Sequence, residues 1–220
     1  MDAYRISSCA LSDRYQEGQR NFERMDLREL DLCGLNLVDV RFCWADLTSA
    51  FLTRSKLDES DLTGVMMWRT NLSGTSLRWV NLHRAVMVRA EAPGANFSGA
   101  NLERCDLRLA NLRAACLAGA NLRGAKLCYS DLRSANLTGA DLTGADLTGA
   151  KLRGACLEAV CWRATLLQPN QLDKDVASLV GSVQMKAAEA RSPVPDILES
   201  AEVESETAAN SDAQRSLTAV

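Results

Sequence analysis

An apolar residue, usually Leu, occupies every fifth position from 22 to 167, thirty centres in unbroken register. The exceptions to Leu are Phe22, Phe42, Met67, Met87, Ala92, Phe97 and Trp162. Two residues before each centre stands a small residue, most often Ala, and the position between is commonly Asp or Asn. The clearest stretch, Ala140 to Ala155, reads ADLTGADLTGAKLRGA. No regular helix or strand carries this spacing. A helix turns about 100° per residue, so a step of five spreads Leu around every face. A strand alternates with period two, and an odd step flips Leu from face to face. A short fixed period is the mark of a solenoid. Low-complexity disorder does not hold an apolar residue at almost every fifth position.

The pattern is satisfied when each unit is a short extended piece followed by a turn. The small residue and the centre then point inward, and the residue between them points out. Gly recurs two residues after the centre, as at Gly64, Gly74, Gly144 and Gly149. A type II turn needs positive φ at its second central residue, and Gly supplies it without a steric penalty. Asp and Asn before the centre suit a place where backbone donors must be satisfied.

The motif A(D/N)LxG, present as ADLTG, ANLRG and ANLTG, resembles that of the pentapeptide-repeat proteins over about two-thirds of the chain. The resemblance implies an all-β fold, a right-handed quadrilateral β-helix with four units per coil. Residues 20 apart then stack, Phe22 by Phe42 and Met67 by Met87. About seven coils at roughly 4.8 Å each make a rod about 35 Å long. Burying each Leu contributes about 1.5–3 kcal/mol. The unit 90–94, with Ala92 at the centre and Pro93 after it, is expected to be locally irregular.

The ends depart from the period. Residues 11–19 read as a short helix ended by Gly18, within an N-terminal segment and cap over 1–19. The repeat occupies 20–167. Leu172, Val176, Leu179, Val180 and Val183 recur at helical spacing, so 168–190 reads as a helical cap over the last coil. Residues 191–220, rich in acids, Ser and Ala, read as a disordered acidic tail. The segment from Arg14 to Leu32 is similar to the start of cyanobacterial pentapeptide-repeat proteins that regulate heterocyst differentiation, through Tyr15, Gly18, Arg20, Asn21 and Phe22.

Composition excludes most chemistry. No stretch reaches transmembrane length and the first twenty residues lack an apolar signal core, so a cytoplasmic protein is expected. The eight cysteines are scattered without CxxC, and Cys116 and Cys156 share a column two coils apart, too far to bridge. Reduced thiols are expected. The one histidine, His83, is read as an exposed turn residue, leaving no metal set or acid–base pair. No cofactor, metal or catalytic residue is expected, and the chain reads as a non-enzyme.

Charge separates by region. Residues 20–167 hold 19 Lys+Arg and 16 Asp+Glu, whereas residues 168–220 hold 4 and 9. Some relatives of the resembled family copy the charge and shape of DNA and inhibit or protect DNA gyrase and topoisomerase. That requires a strongly negative rod. Here the rod is slightly positive, and Arg113, Arg133 and Arg153 fall in one column. Interspersed acids also weigh against nucleic-acid binding. One face abandons the consensus outward: Met66, Trp68 and Arg69, then Val86, Val88 and Arg89, then Arg108, Leu109 and Tyr129. Trp, Arg and apolar neighbours are what interface centres favour. The expectation is a regulatory scaffold, monomeric rather than dimeric, that binds a protein partner there, as the heterocyst regulators of the family would. Trp44, Trp79 and Phe51 are assigned to other faces.

Overall fold

The computed structural model describes residues 6–167. Every bridge in it is parallel and joins the residue before one centre to the residue 20 further on, from Asn21–Arg41 to Asp146–Leu166. One turn of the coil therefore takes four pentapeptides and has four faces. They are named here by those outward residues: face 1 carries 21, 41, 61 and onward; face 2 carries 26, 46, 66; face 3 carries 31, 51, 71; face 4 carries 36, 56, 76.

The hydrogen bonds explain the consensus. In the unit 65–69, Val65 N–H donates to Leu62 O (3.1 Å) and closes the preceding turn. Met66 N–H donates to Ala45 O (3.0 Å), Met67 N–H to Val86 O (2.7 Å) and Arg69 N–H to Val88 O (3.1 Å). Backbone carbonyls thus take four of the five N–H groups. The fifth, just after the centre, is taken in many other units by an Asp or Asn two residues earlier. Thr48 N–H donates to Asp46 Oδ1 (2.9 Å), and Thr143 N–H to Asp141 Oδ1 (2.9 Å). This local side-chain bond is why the outward position before the centre favours Asp and Asn.

Pro93 fits the same scheme, and the expected irregularity is absent. It stands at the one position whose N–H no carbonyl of the coil requires, so its missing donor disturbs nothing. The ladder continues through it, with Gly74 N–H on Pro93 O (3.0 Å) and Gly94 N–H on Arg113 O (2.9 Å). Glu91, freed from that duty, accepts from Asn111 Nδ2 (2.7 Å).

The second turn residue has positive φ in every unit from 24 to 164, whether or not it is Gly; Arg69 has φ 55° and Tyr129 φ 59°. Its side chain leans toward the next coil. Three aromatics hold this position, Trp44, Trp79 and Tyr129, and each lies over a glycine 20 residues later: Gly64, Gly99 and Gly149. A Cβ on Gly99 would come 2.6 Å from Trp79 Cδ1, so these glycines are needed for packing as well as for their dihedral.

Inside, the centres and the small residues form the core. Phe22 and Phe42 stack with centroids 5.8 Å apart, as the 20-residue spacing requires. Hydroxyls at the small positions are not wasted: Thr70 Oγ1 donates to Leu47 O (2.7 Å) and Thr75 Oγ1 to Leu52 O (2.6 Å).

Helix α1, Ser8–Gln16, begins three residues before the expected 11–19, because Ser7 caps it by accepting from Ala10 N–H (3.3 Å). Gly18, at φ 95°, ends it. Gly18 N–H reaches Tyr15 O (3.1 Å) and Gln19 N–H reaches Arg14 O (2.9 Å), a Schellman closure. Tyr15 Oη donates to Val38 O (2.9 Å), and Arg20 lies over the Tyr15 ring at 3.9 Å and donates to Tyr15 O (2.7 Å). The Tyr15–Phe22 motif is thus cap architecture. The helix expected over 168–190 and the tail 191–220 lie outside the described residues.

Candidate protein-binding face

All nine residues singled out in the sequence fall on face 2 or on the corner that follows it. Asp46 and Asp106 serve the backbone of this face, each bonded to the N–H two residues on. The two coils between them carry Met66 and Val86 instead, which are 45% and 38% exposed. Neither offers the oxygen acceptor that Asp or Asn supplies. Among the described residues the N–H groups of Trp68 and Val88 consequently have no acceptor. Trp68 and Val88 are half-buried. The Arg69 guanidinium stacks 4.3 Å from the Trp68 ring, a cation–π contact.

Arg69, Arg89, Leu109 and Tyr129 rise up one corner at 20-residue intervals, and Leu109 and Tyr129 are 47% and 48% exposed. Arg69, Arg89, Glu91 and Leu109 line a shallow open depression there. Arg69 and Arg89 form no ion pair among the described residues. Arg108 differs. Its Nη2 lies 2.8 Å from Asp106 Oδ2, and that hydrogen bond raises its pKa, so its charge is already spent. Trp44 lies closer to this site than its assignment to another face implies. It occupies the corner between faces 1 and 2, with its ring on Gly64, and Met66 follows two residues later. Trp79 stands at the corner between faces 4 and 1, and Phe51 on face 3.

Parts of the other faces are tied together by their own side chains. On face 1, Asn81 Nδ2 donates to Asp61 Oδ1 (3.2 Å), Asn101 Nδ2 to Asn81 Oδ1 (3.0 Å) and Asn121 Nδ2 to Asn101 Oδ1 (3.0 Å). His83 on this face is half-buried, not exposed; its turn packs beside the ladder, and its backbone N–H donates to Asn81 Oδ1 (3.3 Å). On face 4 the buried Asp58 receives Arg78 Nη2 (2.6 Å), Arg78 Nε (3.0 Å), Arg78 N–H (2.9 Å) and Ser76 Oγ (2.6 Å). Burial works to raise the Asp58 pKa, but these bonds from Arg78 and Ser76 outweigh it and hold the carboxyl below its ordinary range. Asp58 and Arg78 stand just after their centres, one coil apart, where the repeat consensus gives no signal of a side-chain bond between coils. On face 3 the Arg113, Arg133 and Arg153 column is present, and Arg133 pairs with Asp131.

All eight cysteines are free thiols. Burial pushes Cys128 up to about 12 and Cys43 up to about 11, so neither is an activated nucleophile. Among the described residues no group of three His, Cys, Asp or Glu is placed to hold a metal, and no helix is long and apolar enough to cross a membrane.

The family profile described as pentapeptide repeats matches the chain in eight copies, over residues 21–64, 70–108, 94–127, 105–144 and 129–161. No curated protein matches its sequence. Among solved structures it is similar to HetL, a pentapeptide repeat protein involved in heterocyst differentiation regulation from the cyanobacterium Nostoc sp. strain PCC 7120. That similarity has 26% identity and TM-score 0.37, over 76% of this chain and 99% of HetL. It is also similar to Rfr23, a pentapeptide repeat protein from the cyanobacterium Cyanothece 51142, at 24% identity and TM-score 0.41, over 70% and 99% of the two chains. A third is QnrB1, a plasmid-mediated fluoroquinolone resistance protein, at 20% identity and TM-score 0.41, over 72% and 91%. The repeat matches run through more than half of the sequence, in the same five-residue register that the coil's bridges follow, and the chain belongs to the pentapeptide-repeat family.

Proposed function

We propose that this protein is a non-enzymatic, regulatory scaffold that binds a protein partner through face 2 and its following corner. The observation that carries this reading is the pair of successive coils at Met66 and Val86. There the outward side chain gives up its bond to the coil and presents exposed apolar groups beside arginines that form no ion pair among the described residues. Other outward positions also lack that bond, such as Phe51 and Lys126, but here two successive coils combine its loss with exposed apolar side chains and neighbouring arginines. A cytoplasmic, monomeric protein with a right-handed coil of about seven turns belongs to the same reading, from the thirty centres and four faces. A duplex mimic acting on gyrase is disfavoured, because residues 20–167 carry 19 Lys+Arg against 16 Asp+Glu. In a supercoiling assay, micromolar protein is expected to leave gyrase activity intact.

The direct test is an affinity pull-down from the native organism with the wild-type chain and with Trp68→Ala/Arg89→Ala. Partners retained by the wild type and lost from the variant, with the variant's circular dichroism unchanged, support the site. Equal recovery of the same partners by both proteins overturns it. Truncating a central Trp or Arg of an interface typically costs about 2 kcal/mol or more.

A further inference from the structure

The chemistry of face 2 specifies more than an apolar contact. It presents two parallel stripes along the rod. One is apolar, from Met66 and Val86 with Trp68 and Val88 behind them. The other is basic, from Arg69 and Arg89 at the corner, neither of which is ion-paired among the described residues. Between the stripes lie the Trp68 and Val88 N–H groups, which lack the carboxylate or amide acceptor that Asp46 and Asp106 supply on flanking coils. Each of the two coils thus offers a backbone donor and a guanidinium to an oxygen acid, and the coils are about 4.8 Å apart.

Resting on the reading above, we infer that the partner segment is an acidic amphipathic helix lying along the rod axis. Its apolar side chains would cover Met66, Val86 and Leu109. Two carboxylates would take the place of the missing Asp side chains, meeting the Trp68 and Val88 N–H groups and the guanidiniums of Arg69 and Arg89. Helix residues four apart have Cβ atoms about 5–6 Å apart, which matches one coil step. Alternate residues of a strand, at roughly 6.6–6.8 Å, match it less well. Charge-assisted bonds of this kind give both orientation and specificity. Helices that lay an apolar stripe on a complementary surface are a recurrent mode of recognition.

The test uses the full chain and a labelled twenty-residue helical peptide with a Leu stripe flanked by Glu pairs four apart. The same peptide with Gln for Glu, and a DNA duplex of equal charge, serve as controls. Binding is followed by fluorescence anisotropy. The Glu peptide is expected to bind at least about tenfold more tightly than the Gln peptide, and to weaken as salt is raised. Arg69→Gly/Arg89→Gly is expected to erase that preference, and the fold should tolerate it because Gly is already frequent at this turn position. Met66→Asn/Val86→Asn keeps both arginines but restores acceptors for the two N–H groups. It is expected to lose about tenfold as well. Equal affinity for the Glu and Gln peptides overturns the inference, as does binding unchanged in either double variant, or duplex DNA binding as tightly as the Glu peptide. Where the native partner is lost from Trp68→Ala/Arg89→Ala but the Glu peptide shows no preference, the docking face stands and its acidic specificity is refuted.

Discussion

Faces 1 and 2 share one backbone, and they differ in what their outward side chains do. On face 1 the Asp61–Asn81–Asn101–Asn121 ladder satisfies the coil twice over. Each Asn in the ladder accepts from the N–H two residues on and donates to the residue one coil earlier. On face 2, between Asp46 and Asp106, Met66 and Val86 do neither. A solenoid gains stability from nearest-neighbour contacts between repeats, so a repeat that forgoes one leaves its outward surface free for something else. The contrast marks where sequence follows the coil and where it does not.

If the difference is confined to the outside, the interiors beneath the two faces should be equally sensitive. Leu102 lies under face 1 and Met87 under face 2, both fully buried. Leu102→Ala and Met87→Ala are each expected to destabilise by about 2–5 kcal/mol in urea denaturation. A much smaller loss at Met87 would mean that face 2 is loosely packed throughout, and the contrast would become one of rigidity.

The corner between the two faces gives the next largest effect. An alanine at Gly94 meets nothing within 4 Å and carries only the left-handed penalty, about 1–2 kcal/mol. At Gly64 the added methyl would come 2.4 Å from Trp44 Cε3, a direct clash with the ring. Gly64→Ala is expected to cost roughly 1–3 kcal/mol more than Gly94→Ala, and a Trp44→Ala background should remove the excess. Equal melting temperatures for the two single variants would show that the ring moves aside freely.

Much of this fold is legible in the sequence because its period is local. The five-residue spacing of Leu, the Asp or Asn before it and the Gly after it each report one bond or one dihedral within a single unit. Pro93 misleads because its position in the turn matters more than its identity: it removes a donor the coil does not need. The side-chain contacts across coils were harder to see. Asp58 with Arg78 and Trp44 over Gly64 depend on residues 20 apart, and only the four-sided coil makes them neighbours. The nine residues of the candidate face were found together because their departures from the consensus recur on that same grid. The missing acceptor at Trp68 and Val88 required the hydrogen bonds themselves.

Face 4 offers a third case, a buried carboxylate paired across coils with a half-exposed guanidinium. The Asp58 carboxyl is held below its ordinary pKa, so its stabilising contribution is complete at neutral pH. It is lost as pH falls through the range below about 4. Asp58→Asn should lower stability at pH 7 by about 1–2 kcal/mol and make the loss below about pH 4 shallower. A variant whose acid-denaturation profile overlays the wild type would remove Asp58 from the account of acid sensitivity. On face 1, Asn101→Ala breaks bonds to Asn81, Asn121 and the Glu103 N–H, partly exposed, and is expected to cost about 1 kcal/mol.

The smallest expected effect is the most discriminating one. Met66→Asn/Val86→Asn converts face 2 locally into face 1. Each Asn supplies the acceptor that Trp68 and Val88 lack, and the apolar surface given up is already about two-fifths exposed. The gain of two side-chain-to-backbone bonds and the loss of partial burial nearly cancel, so the midpoint of denaturation should stay the same or rise by less than about 1 kcal/mol. The same change at an outward position that serves the fold would not be silent. A loss above about 2 kcal/mol would mean that Met66 and Val86 are held by packing the coil depends on, and face 2 would then be structural surface with no room for a partner. An unchanged midpoint would show that the coil gains nothing from keeping them, which is the condition a docking surface has to meet.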